Sequence, residues 1–128
     1  MKRTLFNATE NAHAFEQQVD PLGFPFIVHI CGDMKSVWRL LPQLRCDALS
    51  TDATVSLAVL KENFPSITTM GNVSTFALEW NESEKIRSMT RNLVNHGVNI
   101  ISPACGLSTS TKLQTIRVMT DEVKNGGV

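Results

Sequence analysis

The sequence contains no tyrosine, only three cysteines and no excess of either charge sign, with 12 lysines and arginines against 12 aspartates and glutamates. Balanced charge removes the basic footprint that nucleic acid or an anionic membrane surface requires. Three cysteines are odd in number and too few for a disulfide framework, which leaves thiols or metal ligands. No apolar run approaches the ~20 residues needed to cross a bilayer, and Met1-Lys2-Arg3-Thr4-Leu5 lacks the apolar core of a signal peptide. The expectation is a cytoplasmic protein without nucleic-acid or membrane partners. No low-complexity tract or interdomain linker divides the chain, so its 128 residues, 42% of them hydrophobic, read as a single domain. At this length roughly two-thirds of the unfolded surface can be buried, and a core needs no cross-links.

From Phe24 onward, short apolar runs alternate with longer amphipathic stretches, each boundary marked by Gly, Pro, Asp or Asn. The first unit is a strand over Pro25 to Cys31 and a helix from Asp33, its N-cap, with Val37, Leu40, Leu41 and Leu44 on one stripe. The second is a strand over Asp47 to Asp52 and a helix over Val55 to Asn63, stopped by Pro65. In the third, Ser66 to Val73 forms a strand, and Asn81-Glu82-Ser83-Glu84 reads as a capping box for a helix burying Ile86, Met89, Leu93 and Val94. Gly97 suits the left-handed position that ends it. The fourth has a strand over Val98 to Ser102 and a second capping box, Thr111-Lys112-Leu113-Gln114, opening a helix with the stripe Leu113, Ile116, Met119 and Val123. The tail from Asn125 is expected to fray, and residues 1 to 23 form a weaker segment, helical over Asn11 to Val19. Four βα units imply an α/β fold with parallel strands and right-handed crossovers. Two architectures satisfy this: an open sheet, or the C-terminal half of a (β/α)8 TIM barrel, whose full circle takes about 250 residues.

Alternation along the first strand puts Ile27, His29 and Cys31 on one face. His29 and Cys31 then point together at the carboxyl end of a parallel strand, where such sheets keep their sites. Cys105 follows the fourth strand and reaches the same end. One imidazole and two thiols suit Zn²⁺, and three ligands rather than four leave a position for water or substrate. The competing reading is that cysteines are small buried hydrophobes, and a His-x-Cys pair alone is weak. That reading is taken for Cys46, which lies at the amino end, roughly 20 Å away at about 3.3 Å per residue. His96 reads as a solvent-facing residue near a helix C-terminus. Trp38 and Trp80 are too isolated for a binding platform and read as packing or surface residues.

His29-Ile30-Cys31-Gly32, then Met70-Gly71-Asn72-Val73-Ser74, then Ile101-Ser102-Pro103-Ala104-Cys105-Gly106-Leu107 together resemble the uroporphyrinogen decarboxylase superfamily, more narrowly its methylcobalamin:coenzyme M methyltransferases. The resemblance covers residues 24 to 124. It implies that His29, Cys31 and Cys105 bind zinc and that the open position takes the thiol of coenzyme M. That sulfur attacks the methyl group of a methylated corrinoid (methylcobalamin as donor), delivered by a corrinoid protein, leaving the cobalt–carbon electron pair on the corrinoid. Asp52, Asn72 and Ser74 fall at the carboxyl end and become candidate substrate contacts, though capping or turn formation explains Asp52 and Asn72 equally well. Ala-Cys-Gly replaces the Gly-His-Gly segment of true uroporphyrinogen decarboxylases, which also lack the His-x-Cys pair. Cobalamin-independent methionine synthases share the zinc-thiol logic, so another small thiol acceptor stays open. The first four βα units of the family are absent. A homo-oligomer or partner chain completing the barrel is therefore expected, because an isolated arc exposes strand edges and an apolar face. The alternatives are a non-catalytic module of full-length methyltransferases or a decarboxylase-like protein without methyltransferase activity.

Overall fold

The computed structural model describes Ala14, Gln17, Gln18 and residues 20–126. Ala14, Gln17 and Gln18 are helical, and the rest of the expected helix over residues 11–19 lies outside the described residues. Four strands, β1 (Ile27–Ile30), β2 (Ala48–Thr51), β3 (Thr69–Val73) and β4 (Ile100–Pro103), pair in parallel in the order β1-β2-β3-β4. Sequential order decides between the two architectures. Crossovers of one hand lay every helix on the same side of such a sheet, whereas an open doubly wound sheet reverses its order to cover both faces. The sheet is an arc of a (β/α)8 barrel, with helices outside and an inner face lacking its opposite wall among the described residues. Val28, Ile30 and Ile101 point outward into the core, while Ile27 and Ile100 are exposed on the inner face.

The helices are α1 (Leu57–Asn63), α2 (Thr75–Glu79), α3 (Ser83–Asn95) and α4 (Leu113–Gly126). Leu49, Leu57, Leu60, Val73, Leu78, Ile86, Leu93 and Met119 close the core between them and the sheet. Several expected elements differ. The segment after β1 is a 3-10 helix over Lys35–Gln43, not an α-helix from Asp33. Pro42 inside it has no N–H to donate, and its ring crowds the carbonyl an α-turn would use. Asp33 still satisfies a starting donor, accepting from Lys35 N at 3.0 Å. The helix α1 starts two residues later than expected because Ser56 is its N-cap, accepting from Val59 N. The short helix α2 was not anticipated at all. Its five residues are below any periodicity window, and Ser74 caps it by accepting from Ala77 N.

Neither capping box forms. Asn81 takes a left-handed φ of 57°, Glu82 occupies the N-cap of α3 without a side-chain cap bond, and Thr111 Oγ1 has no hydrogen-bond partner. Gly97, at φ 70°, does end α3, with Gly97 N donating to Val94 O and Val98 N to Leu93 O, the paired bonds of a Schellman motif. On α4 the buried stripe is Thr115, Met119 and Glu122, and Leu113 is 61% exposed. The stripe is displaced because Glu122 is an anchor: its Oε1 accepts from both Nε and Nη2 of Arg91, each at 2.8 Å. Of the tail expected to fray, Asn125 and Gly126 are still helical in α4, and Gly127 and Val128 lie outside the described residues. Trp38 packs on Phe64 and Trp80 on Phe76, pairwise contacts rather than a platform.

Candidate metal centre

The site lies at the carboxyl rim of the sheet. β1 alternates as expected, so His29 faces inward and Cys31, one residue past the strand, follows it. In a flat sheet β1 and β4 would be separated by three strand spacings, about 14 Å at ~4.8 Å each. Curvature and the loop after β4 remove that gap, bringing Cys31 Sγ and Cys105 Sγ to 3.8 Å. His29 Nε2 is 3.0 Å from Cys31 Sγ, and ligand atoms of all three residues lie within 4.8 Å of one another. The three side chains are exposed.

This donor set fits zinc. Two sulfurs at about 2.3 Å from a tetrahedral ion are about 3.8 Å apart, which the thiol pair already matches. The matching nitrogen–sulfur edge is about 3.6 Å, so the His29–Cys31 pair opens by roughly half an ångström to accommodate the ion. The other ring nitrogen, Nδ1, is 2.9 Å from Ser50 Oγ. Ser50 sits opposite His29 in the β1–β2 register and is buried. The Cys31 thiol is held above its ordinary pKa by its hydrogen bond with Cys105, and further by desolvation and by electrostatic repulsion from the neighbouring Cys105 and Asp52 side chains. Beside the triad a cleft of about 500 Å³ is lined by Ile27, Ser50, Met70, Ser102, Pro103 and Leu107 as well as His29 and Cys105. It offers a substrate mostly apolar walls and a few hydroxyls.

The other candidates are placed differently. Asp52 is close enough for its charge to act on Cys31, but its Oδ1 accepts from Thr54 N at 3.1 Å, in the turn before α1. Asn72 is buried, and its Nδ2 donates to Asp52 O at 2.8 Å and Val55 O at 2.7 Å. It ties β3 to the β2–α1 loop and lines a separate small cleft with Met89 and His96. Ser74 is occupied as the cap of α2. Neither residue is among those lining the cleft beside the triad; the polar atoms of Asn72 and Ser74 are engaged by backbone carbonyls and a backbone N–H near them. Cys46 lies beyond the opposite end of β2, half-buried among Leu41, Leu44, Ala48 and Ile67. His96 caps α3 from outside, its Nδ1 2.8 Å from Asn92 O. Ser50 was missed, because only the strand register reveals that it faces His29.

Comparison with known proteins follows the same lines. The methylcobamide:CoM methyltransferase MtbA of Methanosarcina acetivorans is 24% identical over 100 residues, which are 77% of this chain and 30% of that protein. The methylated-thiol–coenzyme M methyltransferase of Methanosarcina mazei is 30% identical over 95 residues, 73% of this chain and 26% of that protein. A solved methyltransferase from Methanosarcina mazei superposes with a TM-score of 0.74 at 22% identity, over 80% of this chain and 31% of that one. The likeness establishes the partial-barrel fold, and the chain spans less than a third of the length of these relatives. The uroporphyrinogen decarboxylase (URO-D) family profile matches residues 4–126, nearly the whole sequence, and the chain belongs to that family.

Proposed function

We propose that the chain carries the metal-binding, thiol-activating part of a zinc-dependent methyltransferase, which moves a methyl group from a methylated corrinoid to a small thiol such as coenzyme M. The observation that carries this reading is the convergence of His29 Nε2, Cys31 Sγ and Cys105 Sγ at the barrel rim, within 4.8 Å. The activities of the relatives, methyl transfer to coenzyme M, support it. His29, Cys31 and Cys105 would hold the zinc, which when bound would supply Lewis acidity that favours the thiolate form of an acceptor thiol near neutral pH. The chain's own residues supply the setting. Among the described residues three protein donors rather than four converge, which leaves room for one exogenous sulfur. Ile27, Met70 and Leu107 in the cleft offer apolar surface to the acceptor's carbon chain, and Ser50 and Ser102 give it hydroxyls to bond. Asp52 adds negative charge beside Cys31, which favours a cation between the thiols. The corrinoid protein approaches from the open side of the rim, where all three donors are exposed.

That exposure also favours a second reading, in which the chain binds the metal as a non-catalytic subunit or regulatory module of full-length methyltransferases. Metal analysis of the purified, reduced protein tests what the readings share. About one zinc per chain is expected, lost in His29→Ala, Cys31→Ala and Cys105→Ala variants that stay folded, and absence of zinc from the intact protein sinks both. Incubation with methylcobalamin and coenzyme M, with and without a full-length relative, then separates them: methylated product from the chain alone supports the enzyme, and stimulation only in the relative's presence supports the module.

A further inference from the structure

We propose that Ser50 is the positioning residue of the triad, its hydroxyl holding Nδ1 of His29 so that Nε2 turns its lone pair toward the two sulfurs. The inference rests on the metal reading above and adds a residue to it. Ser50 Oγ and His29 Nδ1 are 2.9 Å apart, and the opposite ring nitrogen is 3.0 Å from Cys31 Sγ, so the contacts run in line from β2 through the ring to the thiol. A neutral imidazole carries one N–H. With that proton on Nδ1, donated to Ser50, Nε2 is the bare acceptor that a cation or the Cys31 S–H group can meet. The opposite tautomer aims an N–H at the sulfur and offers nothing to a metal.

Burial makes Ser50 an anchor rather than a bystander. It is 6% exposed in the middle of a paired strand, while the His29 ring projects from the exposed edge strand β1. The register His29↔Ser50 places them side by side on the inner face. Among the described residues Ser50 is the sole hydrogen-bond partner of Nδ1. Its neutrality suits the donor set. A hydroxyl can fix the ring's orientation and tautomer without adding charge of its own.

The test is zinc affinity by chelator competition, with the absorption spectrum of the cobalt-substituted protein read alongside, for wild type, Ser50→Ala and Ser50→Thr. Outer partners of metal-binding histidines typically contribute 10–100-fold in affinity, so Ser50→Ala is expected to weaken zinc by about that factor while the metal-free protein keeps its melting temperature, and its cobalt spectrum to lose imidazole character while keeping the thiolate bands. Ser50→Thr, which keeps the hydroxyl, is expected to restore both. Wild-type affinity in a folded Ser50→Ala overturns the proposal and leaves the triad standing; no zinc in the wild type overturns the triad and the proposal with it. Should Ser50→Ala fail to fold, Ser50→Thr decides: near-wild-type affinity upholds the role, and loss of metal from the folded variant overturns it.

Discussion

Cys46 and Cys105 are chemically the same side chain, and their neighbourhoods give them different work. Cys105 stands on the rim within hydrogen-bond reach of a second thiol, whereas Cys46 is half-buried beside leucines at the other end of the sheet. Cys46→Ser is therefore expected to leave zinc content unchanged, and loss of zinc from that variant contradicts a three-donor site. Asn72 makes a complementary case. Removing its amide in Asn72→Ala takes the donor from the part-buried carbonyl of Asp52 and the buried carbonyl of Val55, at a cost of about 1–3 kcal/mol. Denaturant unfolding should register that loss while metal affinity stays near wild type, and a purely metal-linked defect would mean that Asn72 belongs to the site after all. Strand parity made the His29–Cys31 pair legible in the sequence. The sequence carries no comparable mark for the contacts of Ser50 or of Asn72, because both depend on which residue of the neighbouring strand or loop lies opposite.

At the scale of elements, boundaries moved wherever a side chain, rather than hydrophobic period, decides the first turn. Ser56 caps α1, Ser74 caps α2, and both anticipated capping boxes are empty. Ser56→Ala should cost about 0.5–1 kcal/mol, measurable as a lowered denaturation midpoint at constant slope; no change would mean the 3.4 Å contact to Val59 N contributes nothing. The stop of α3 was readable because only glycine is comfortable at the left-handed φ of its Schellman turn. Gly71 has a different reason: a Cβ there would stand 3.3 Å from Thr51 O at φ 135°, so any side chain is strained. Helix α2 also restrains the loop carrying Cys105. Glu79 Oε1 accepts from Ser110 Oγ at 2.6 Å, and the hydroxyls of Ser110 and then Ser108 lower the Glu79 pKa below its ordinary value. A lowered folded pKa means the contact is fully stabilising above the unfolded value and is lost as pH falls through the folded one. Carboxyl chemical shifts of Glu79 should titrate below the ordinary glutamate range and return toward it in Ser110→Ala; an unmoved midpoint would rule out the tether.

For the molecule as a whole, strand order matters more than any single contact. The βα rhythm was legible from apolar runs and their punctuation, but periodicity does not distinguish a flat sheet from an arc; the order β1-β2-β3-β4 does, and with it the approach of Cys31 to Cys105. The same curvature creates a demand. With every helix on the outside, the inner face keeps Ile27 at 43% and Ile100 at 39% exposure, and among the described residues β1 and β4 each have one unpaired edge. Exposed apolar surface of this kind, flanked by free strand edges, favours association. The purified chain is therefore expected to self-associate, with a sedimentation coefficient that rises with concentration. Ile100→Glu puts a charge on the inner face at the amino end of β4, remote from the rim, and should shift the equilibrium toward monomer while leaving zinc content intact. If the wild type remains monomeric at its highest soluble concentration, a second copy is not what covers this face. If Ile100→Glu dissociates the assembly and also releases zinc, the triad depends on closure of the barrel and not on the arc alone.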